Sequence, residues 1–357
     1  MSTTDRQRPD DKRPDGDGEV PASGLAPTNG PVVRWVQADD GVALRVVDRP
    51  RAAGPAGPGL GAEMAFRSGR SGPDGGDATP IILVHGIAGT AADWDEVAPD
   101  LARARRVLAY DQRGHGKSGR APAGRDGYTF DRLVADLAAV AGTLAPEGLH
   151  LVGHSMGGLA ALRYTLERPL GVTAPVRSLV LVDMAAEPAS GLIGRKIVPW
   201  LLELAATAGA HGGRGHEDRP PEPGQPAEPT NPTDRALTGF REVDPDALAA
   251  FGHELGDYPS LLARLPEIAV PTTVVVGEHD GWLRQAARAL AAGIPGAHLA
   301  MIADAGHNPH ASHPLAWLSA VEHHFGNYDR RRGDSSGHAA GLPTASPGAG
   351  TPGSVNA

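Results

Sequence analysis

The chain has 357 residues, no cysteine and a formal net charge of −9 at neutral pH. Without cysteine it can form no disulfide, thiol nucleophile or cysteine-ligated metal site, and its negative charge argues against nucleic acid as a partner, because nucleic-acid binding requires a basic surface. The N-terminus lacks the apolar segment of a signal peptide, and no apolar run approaches the length of a membrane span. We therefore expect a cytoplasmic protein without a membrane-spanning segment.

Composition separates the folded part of the chain from the rest. Three segments are rich in glycine, proline or charge and show no apolar periodicity, so they cannot bury enough surface to offset their ordering entropy. They are residues 1–30, an insertion at 54–77 and a tail at 329–357. We expect the two ends to be disordered and the insertion to be a Gly-rich loop, with the folded core at residues 31–185 and 268–328.

Short apolar runs in the core predict strands. Residues 32–36 and 42–47, joined through the turn Asp40-Gly41, predict an antiparallel start. Further strands are predicted at 81–84, 107–111, 149–152, 179–182, 272–276 and 298–302. The later runs are almost continuously apolar, as in a parallel sheet that is covered on both faces. Helical periodicity between them, at 130–140 and 159–166, predicts a three-layer α/β domain.

The alternation of strands and helices breaks once, between Asp183 and Pro271. Helical patterns at 191–210, 246–255 and 260–265 flank a Pro-rich stretch at 212–234, which we expect to be a mobile loop. We assign residues 186–267 to a helical insertion placed as a lid would be. The alternative is an extra helical layer with no role in catalysis.

The segment Gly153-His154-Ser155-Met156-Gly157-Gly158 joins a buried strand to an amphipathic helix. A sharp strand-to-helix turn brings the two backbones together, so the residues two before and two after its apex, Gly153 and Gly157, must be small. Ser155 at the apex would be held in a strained conformation, with its hydroxyl at the N-terminus of the helix. This is the geometry of an activated nucleophile.

This segment resembles the nucleophile elbow of the α/β-hydrolase superfamily, and the resemblance extends over roughly residues 31–325. The other matching segments are "ILVHGIAGT" at 82–90 (the oxyanion loop), "YDQRGHGKSG" at 110–119 (the turn after the fourth strand), "VVVGEHD" at 274–280 (the acid-bearing loop) and "ADAGHNPH" at 303–310 (the histidine loop). The resemblance implies a three-layer α/β-hydrolase fold, with a mostly parallel sheet of about eight strands and a helical lid after the sixth.

The resemblance also implies a role for each site residue. Ser155, Asp280 and His307 occur in the family's order of nucleophile, acid and base. His307 would take the proton of the Ser155 hydroxyl, and Asp280 would hold the imidazole in the required tautomer. The backbone N–H groups of Ile87 and Met156 would form the oxyanion hole.

Asp183 is an alternative acid, because some relatives carry their acid after the preceding strand. We favour Asp280, because it follows a strand and a turn, which is the family's usual position for the acid. His307 lies just past the next strand, so adjacent strand ends would bring the two residues together. Asp183 opens the insertion, where its carboxylate could instead cap a segment or satisfy loop amides.

Other polar and aromatic residues have structural interpretations that we favour. We expect His154 to pack beside the sheet rather than act as a base, and Trp94 to be a packing anchor. Side-chain hydrogen bonds of Asp111, Arg113 and His115 are expected to fix a turn.

Two further groups of residues lie near or within the insertion. Trp200 and Phe240 either form the insertion's own core or line a pocket. His307, His310 and His313 have the spacing of a metal-binding tract, but no carboxylate lies among them at helical spacing. We expect neither a metal nor another cofactor.

A serine at the elbow implies an acyl-enzyme, whereas relatives that open epoxides or displace halide carry aspartate there. The sequence thus predicts a serine hydrolase of carboxylic esters or lactones, similar to the esterase, enol-lactonase and cofactor-free perhydrolase branch. Its partner would be a small-molecule ester or lactone. The alternatives are perhydrolysis, C–C bond hydrolysis or a lyase reaction on the same triad, or a ligand receptor that only binds. Acyl length and oligomeric state are not specified by the sequence.

Overall fold

A computed structural model of the protein describes residues 30–52, 78–167, 174–188 and 242–339. The Gly-rich insertion and, apart from Gly30, the N-terminal segment lie outside these residues. So do the predicted helix at 191–210, the Pro-rich stretch at 212–234, and both Trp200 and Phe240.

In the described part of the chain, eight strands form one sheet in the order β1-β2-β4-β3-β5-β6-β7-β8. They are β1 (Val32–Gln37), β2 (Ala43–Arg49), β3 (Ile81–Val84), β4 (Val107–Tyr110), β5 (Leu149–His154), β6 (Val176–Val182), β7 (Thr272–Gly277) and β8 (His298–Ile302). Strands β1 and β2 pair antiparallel, β2 also pairs antiparallel with β4, and all other pairs are parallel. The predicted fold class is confirmed, and each predicted strand corresponds to an observed one.

Helices cover both faces of the sheet. Alternate residues of the central strands point to opposite sides, and both sets are apolar, so each face is buried under helices. In β3, Ile82 and Val84 belong to a core cluster that includes α2 (Phe130–Leu144) and α3 (Met156–Glu167), whereas Ile81 and Leu83 belong to the opposite one. The other helices are α1 (Ala98–Leu101), α4 (Pro245–Gly256), α5 (Leu283–Gly293), α6 (Pro309–Ser312) and α7 (Pro314–Ala339). None of the helices in these ranges combines the length and apolar character that crossing a bilayer requires.

The insertion lies between β6 and β7, and its C-terminal part packs on the core. The predicted helix at 246–255 is α4, which begins after Asp244, whose carboxylate caps it by accepting from the Asp246 N–H. Tyr128 donates its hydroxyl hydrogen bond to the same carboxylate at 2.7 Å. The predicted helix at 260–265 is instead a 3₁₀ segment, Leu262–Glu267, which contains Pro266 and its missing N–H.

The chain remains helical past Asp329, where we expected the disordered tail to begin, because α7 continues to Ala339. Polar composition alone predicts an earlier end, but tertiary contacts hold the helix as far as Asp329. Asp329 forms an ion pair with Arg105 at 2.6 Å, and the Arg105 guanidinium lies 5.0 Å from the Phe325 ring centroid. Tyr328 packs edge-on against His150.

Candidate active site

The turn between β5 and α3 has the sharp geometry that its sequence predicts. Ser155 lies at the apex with a φ of 50°, in the left-handed region that non-glycine residues rarely adopt. Its N–H donates to the Val182 carbonyl at 2.9 Å, which ties the turn to the end of β6. A side chain at Gly153 would contact the Gly157 carbonyl and Ala161, so the strand and helix approach too closely for any Cβ there. Gly153 is required by this packing.

Gly157 lets the first turn of α3 lie directly on the end of β3. A Cβ at this position would overlap the carbonyl oxygens of Val84 and His85. A Cβ at Gly86, one residue further, would lie 3.2 Å from the Ser155 Cβ. The loop after β3 is therefore adjacent to the serine.

Ser155, His307 and Asp280 form one chain of hydrogen bonds. The His307 Nδ1 lies 2.8 Å from Asp280 Oδ2, and the His307 Nε2 lies 3.1 Å from Ser155 Oγ. Because a carboxylate only accepts, the Nδ1 must carry the proton, which leaves Nε2 free to accept from the serine hydroxyl. The His307 side chain is 41% exposed, so solvent reaches this chain. The three predicted triad residues are thus brought together.

Backbone contacts hold the acid-bearing loop against the histidine loop. The N–H groups of Glu278 and His279 donate to the carbonyls of Ile302 and Ala305, at 2.9 and 2.8 Å. Gly277 allows this approach, because a Cβ there would overlap the carbonyl oxygen of Gly306. The ends of β7 and β8 therefore place Asp280 beside His307.

His154 holds the histidine loop to the elbow, a role that sequence reasoning missed. Its Nε2 donates to the His307 carbonyl at 2.7 Å, and its ring packs edge-on against His310. Burial lowers the pKa of His154 well below its ordinary value, with smaller contributions from His310 and His307. It packs at the sheet edge as a neutral group, as expected. The only signal for the contact was its position inside the elbow motif.

The loop that carries Ile87 is shaped by the buried His85. The His85 Nδ1 donates to the Gly86 carbonyl at 2.7 Å, and its Nε2 accepts from the Gln112 N–H at 3.0 Å. Gln112 also donates its side-chain amide to the His85 carbonyl. Within the described ranges, no acceptor receives the N–H groups of Ile87 or Met156. Both predicted oxyanion-hole donors remain available to a ligand.

Asp183 and Asp280, the two candidate acids, lie together rather than apart. One oxygen of each and a ring nitrogen of His307 all lie within 4.8 Å of one another. Asp183 is 1% exposed and its Oδ1 accepts from the Gly277 N–H at 2.8 Å. The pKa of Asp183 is raised to about 9, chiefly by burial and also by hydrogen bonding and charge from Asp280, while the Gly277 N–H acts to lower it. The pKa of Asp280 is lowered: burial acts to raise it, but the hydrogen bonds with His307 and Asp183 outweigh burial.

The residues with predicted structural roles lie where those roles require. Asp111 accepts from the N–H groups of Ala91 and Lys117. Arg113 is fully buried and forms a bidentate pair with Asp136, at 2.6 and 2.7 Å.

His115 and Trp94 complete this set. The His115 Nδ1 donates to the Arg113 carbonyl at 2.9 Å, which closes the turn. Trp94 is fully buried and stacks on His310 with 4.4 Å between ring centroids. Each therefore acts as a structural residue.

Two groups of side chains within the described residues have the proximity of metal ligands. Asp183, Asp280 and His307 form one, but the hydrogen bonds given above account for their closeness. Glu278, His279 and Asp304 form the other, on the exposed acid-bearing and histidine loops. His307, His310 and His313, which have the spacing of a metal-binding tract, have separate partners: His310 is buried against Trp94, and the His313 ring bonds the Ser312 hydroxyl.

Comparison with curated proteins gives similarities of two kinds. The chain is 40% identical over 119 residues to a protein of Variovorax paradoxus provisionally named carbamate hydrolase RutD; the match covers 33% of this chain and 41% of that one. It is 28% identical over 285 residues to an uncharacterized protein of Mycobacterium tuberculosis, which covers 73% and 78% of the two chains. The more identical matches therefore span less than half of the relatives' length.

Solved structures share the fold at low sequence identity. An enol-lactonase from Burkholderia xenovorans superposes with a TM-score of 0.58 and 22% identity, over 82% of this chain and 99% of its own. An esterase from Thermogutta terrifontis gives 0.59 and 22%, over 84% and 99%. The family described as having the α/β-hydrolase fold matches residues 79–314, which include the elbow, the acid-bearing loop and the histidine loop. On its sequence, its sheet and this match, the chain belongs to the α/β-hydrolase fold family.

Proposed function

We propose that the protein is a serine hydrolase that cleaves a carboxylic ester or lactone through an acyl-enzyme on Ser155. The observation that carries this proposal is the hydrogen-bonded chain from Ser155 Oγ through His307 to Asp280, at the solvent-accessible carboxyl edge of the sheet. A serine hydroxyl is a weak nucleophile unless a base accepts its proton during attack. His307 is such a base, with its Nε2 3.1 Å from the Ser155 Oγ.

The proposed acylation uses the three residues in turn. The Ser155 Oγ attacks the carbonyl carbon of the ester while its proton moves to the His307 Nε2. The Asp280 carboxylate, 2.8 Å from Nδ1, stabilises the imidazolium that forms. The imidazolium then protonates the leaving alkoxide as the C–O bond breaks. Water activated by the same imidazole hydrolyses the acyl-enzyme and restores the serine.

The negative charge of the tetrahedral intermediate requires donors that are already in place. The Met156 N–H opens α3, where the helix N-terminus also favours negative charge. The Ile87 N–H follows Gly86, whose backbone lies against the Ser155 Cβ. The arrangement supports these two groups as the oxyanion hole.

The substrate class is supported by the comparisons. Solved neighbours with the same fold include an enol-lactonase and an esterase, both of which act on acyl–oxygen bonds. The insertion between β6 and β7 follows the strand that ends beside the elbow. We propose that residues 186–267 form the lid that selects among such substrates.

Turnover of activated esters tests this proposal. A panel of p-nitrophenyl esters and lactones of graded acyl length should show hydrolysis, with a burst of p-nitrophenol where deacylation limits turnover. Ser155→Ala should give neither the burst nor the turnover. A folded wild-type protein that binds these compounds without cleaving any would instead support the ligand-receptor alternative.

A further inference from the structure

Two carboxyl groups lie at the ends of neighbouring strands. Asp183 follows β6 directly, and Asp280 follows β7 after a short turn. The hydrogen bond from the Asp183 N–H to the Val275 carbonyl, at 2.9 Å, fixes the Asp183 backbone against β7. Its φ of 44° is in the left-handed region, so this conformation is imposed by its surroundings. The position of the Asp183 carboxyl group is therefore well defined.

One carboxyl oxygen of Asp183 has no hydrogen-bond donor among the residues that the structure describes. Oδ1 accepts from the Gly277 N–H at 2.8 Å. Oδ2 is buried, and no N–H or O–H group in the described ranges donates to it. Its carboxyl neighbour is Asp280, and an oxygen of each group lies within 4.8 Å of the other. Two ionised carboxylates would repel each other at this distance, whereas one proton between them makes the contact attractive.

The surroundings decide which carboxyl group carries the proton. Asp280 faces the His307 N–H, and 15% of its side chain is exposed, so both the donor and water favour its ionised form. Asp183 is buried, and none of the Lys or Arg side chains in the described ranges forms an ion pair with it. Burial without a cation favours the neutral form of a carboxyl group, and one N–H donor offsets this only in part.

We propose that Asp183 is a neutral carboxylic acid whose Oδ2–H donates a hydrogen bond to the Asp280 carboxylate and so acts as a positioning residue. The proton stays on Asp183 and does not move during the reaction. Asp280 is thereby held by two donors, the Asp183 hydroxyl and the His307 Nδ1–H, which fix the plane of its carboxylate relative to the imidazole. The protonation state of Asp183 does not depend on the function proposed above, whereas its effect on turnover rests on that function.

The proposal predicts which substitutions Asp183 tolerates. Asparagine has the same shape, and its amide can donate to Asp280 while its oxygen accepts from the Gly277 N–H. Asp183→Asn should therefore retain kcat/KM to within about tenfold. Asp183→Ala has no donor, and misorientation of Asp280 should lower kcat/KM on the order of 10²-fold. An Asn variant that lost as much activity as Asp280→Asn would overturn the proposal.

Infrared spectroscopy tests the protonation state without using activity. At neutral pH, the wild-type protein should show a C=O stretching band of a buried carboxylic acid, which shifts in D₂O and is absent from Asp183→Asn. Asp48→Asn is the matched control: Asp48 is also 1% exposed but is paired with Arg34 and Arg106, at 2.8 Å from Arg106. Its substitution should remove a carboxylate band and leave the acid band unchanged.

The two measurements separate the possible failures. A wild-type spectrum with no acid band that depends on Asp183 would overturn the proposal, whatever the activity. An Asp183-dependent band in a protein that hydrolyses no ester would support this protonation state while refuting the proposed function.

Discussion

The sheet carries two serine–histidine hydrogen-bond chains, one at each end of its parallel strands. The first joins Ser155, His307 and Asp280 at the carboxyl edge. The second lies towards the amino ends of β6 and β7, where Ser178 Oγ is 2.8 Å from the His324 Nε2, and the His324 Nδ1 is 2.9 Å from Thr273 Oγ1. In both, the imidazole connects a serine with a second polar side chain.

The two hydrogen-bond chains differ in their exposure to solvent and in the side chains that form them. Ser178, Thr273 and His324 are each at most 3% exposed, whereas the His307 side chain is 41% exposed. Ser178 lies inside a regular strand, and the second chain runs from His150 through Ser178 and His324 to Thr273, with no carboxylate among these four residues. A strained turn, a partly exposed imidazole and an acid distinguish the first chain, and these are the features that the proposed catalysis requires.

Electrostatics reinforce this difference. The pKa of His324 is lowered to about 3, chiefly by burial, with a smaller contribution from nearby His150. His324 thus remains neutral near physiological pH, without a carboxylate to stabilise an imidazolium. Its contacts hold α7 to the sheet, so we assign the second chain a structural role.

The same substitution, serine to alanine, should have very different effects on kcat in the two hydrogen-bond chains. Ser155→Ala should lower kcat on the order of 10⁶-fold, because the nucleophile is lost. Ser178→Ala is the matched control and should leave kcat within a few-fold of wild type. Steady-state kinetics on the best p-nitrophenyl ester measure both variants. A Ser178→Ala variant that is folded but inactive would show that the comparison is wrong.

Removing the acid of the first chain should have the next largest effect. Asp280→Asn no longer favours the His307 tautomer with the proton on Nδ1, which should lower kcat on the order of 10⁴-fold with little change in KM. If Asp280→Asn retained wild-type kcat, the acid role would have to pass to another residue.

Disrupting the second chain should lower the free energy of unfolding. Ser178→Ala leaves ring nitrogens of the buried His150 and His324 without the hydroxyl between them, at 2.7 and 2.8 Å in the wild type. We expect the free energy of unfolding to fall by about 1 to 3 kcal/mol. Denaturant titration at neutral pH measures this change, with Ser155→Ala, which removes a hydroxyl at the solvent-exposed site, as the control. Equal stability of the wild type and Ser178→Ala would contradict the structural role.

Acid should destabilise the fold through its buried histidines. The pKa of His324 in the folded protein is about 3, below the ordinary 6.5, so the unfolded chain binds the proton more readily. The contribution of neutral His324 to the free energy of unfolding is fully present above about pH 6.5 and is lost as the pH falls towards 3. His324→Phe should reduce the slope of unfolding free energy against pH by up to about 1.4 kcal/mol per pH unit. An unchanged slope between pH 6 and 4.5 would refute this assignment.

Local patterns in the sequence predict the sheet, and the resemblance of short motifs to those of the α/β-hydrolase superfamily predicts the first chain. Continuous apolar runs identified the parallel strands, and Gly153 and Gly157 marked the turn because backbone contact excludes a Cβ at each. The elbow, acid and histidine motifs each lie within a few residues, so their positions were readable from the sequence.

Contacts between distant segments could not be predicted in this way. Asp183 and Asp280 were treated as rival acids, although the paired ends of β6 and β7 bring them together. The bond between Ser178 and His324 joins residues 146 positions apart, and neither lies in a recognisable motif. The ion pair between Arg105 and Asp329 of α7 joins residues 224 positions apart, which composition does not reveal.

Covalent labelling tests the central claim most directly. A fluorophosphonate probe reacts with an activated serine, so intact-mass spectrometry after labelling should show one adduct on the wild type and on Ser178→Ala. Peptide mapping should place it on Ser155, and Ser155→Ala should remain unlabelled. Full labelling of a folded Ser155→Ala variant, or an adduct mapped to another serine, would contradict the assignment of Ser155 as the nucleophile.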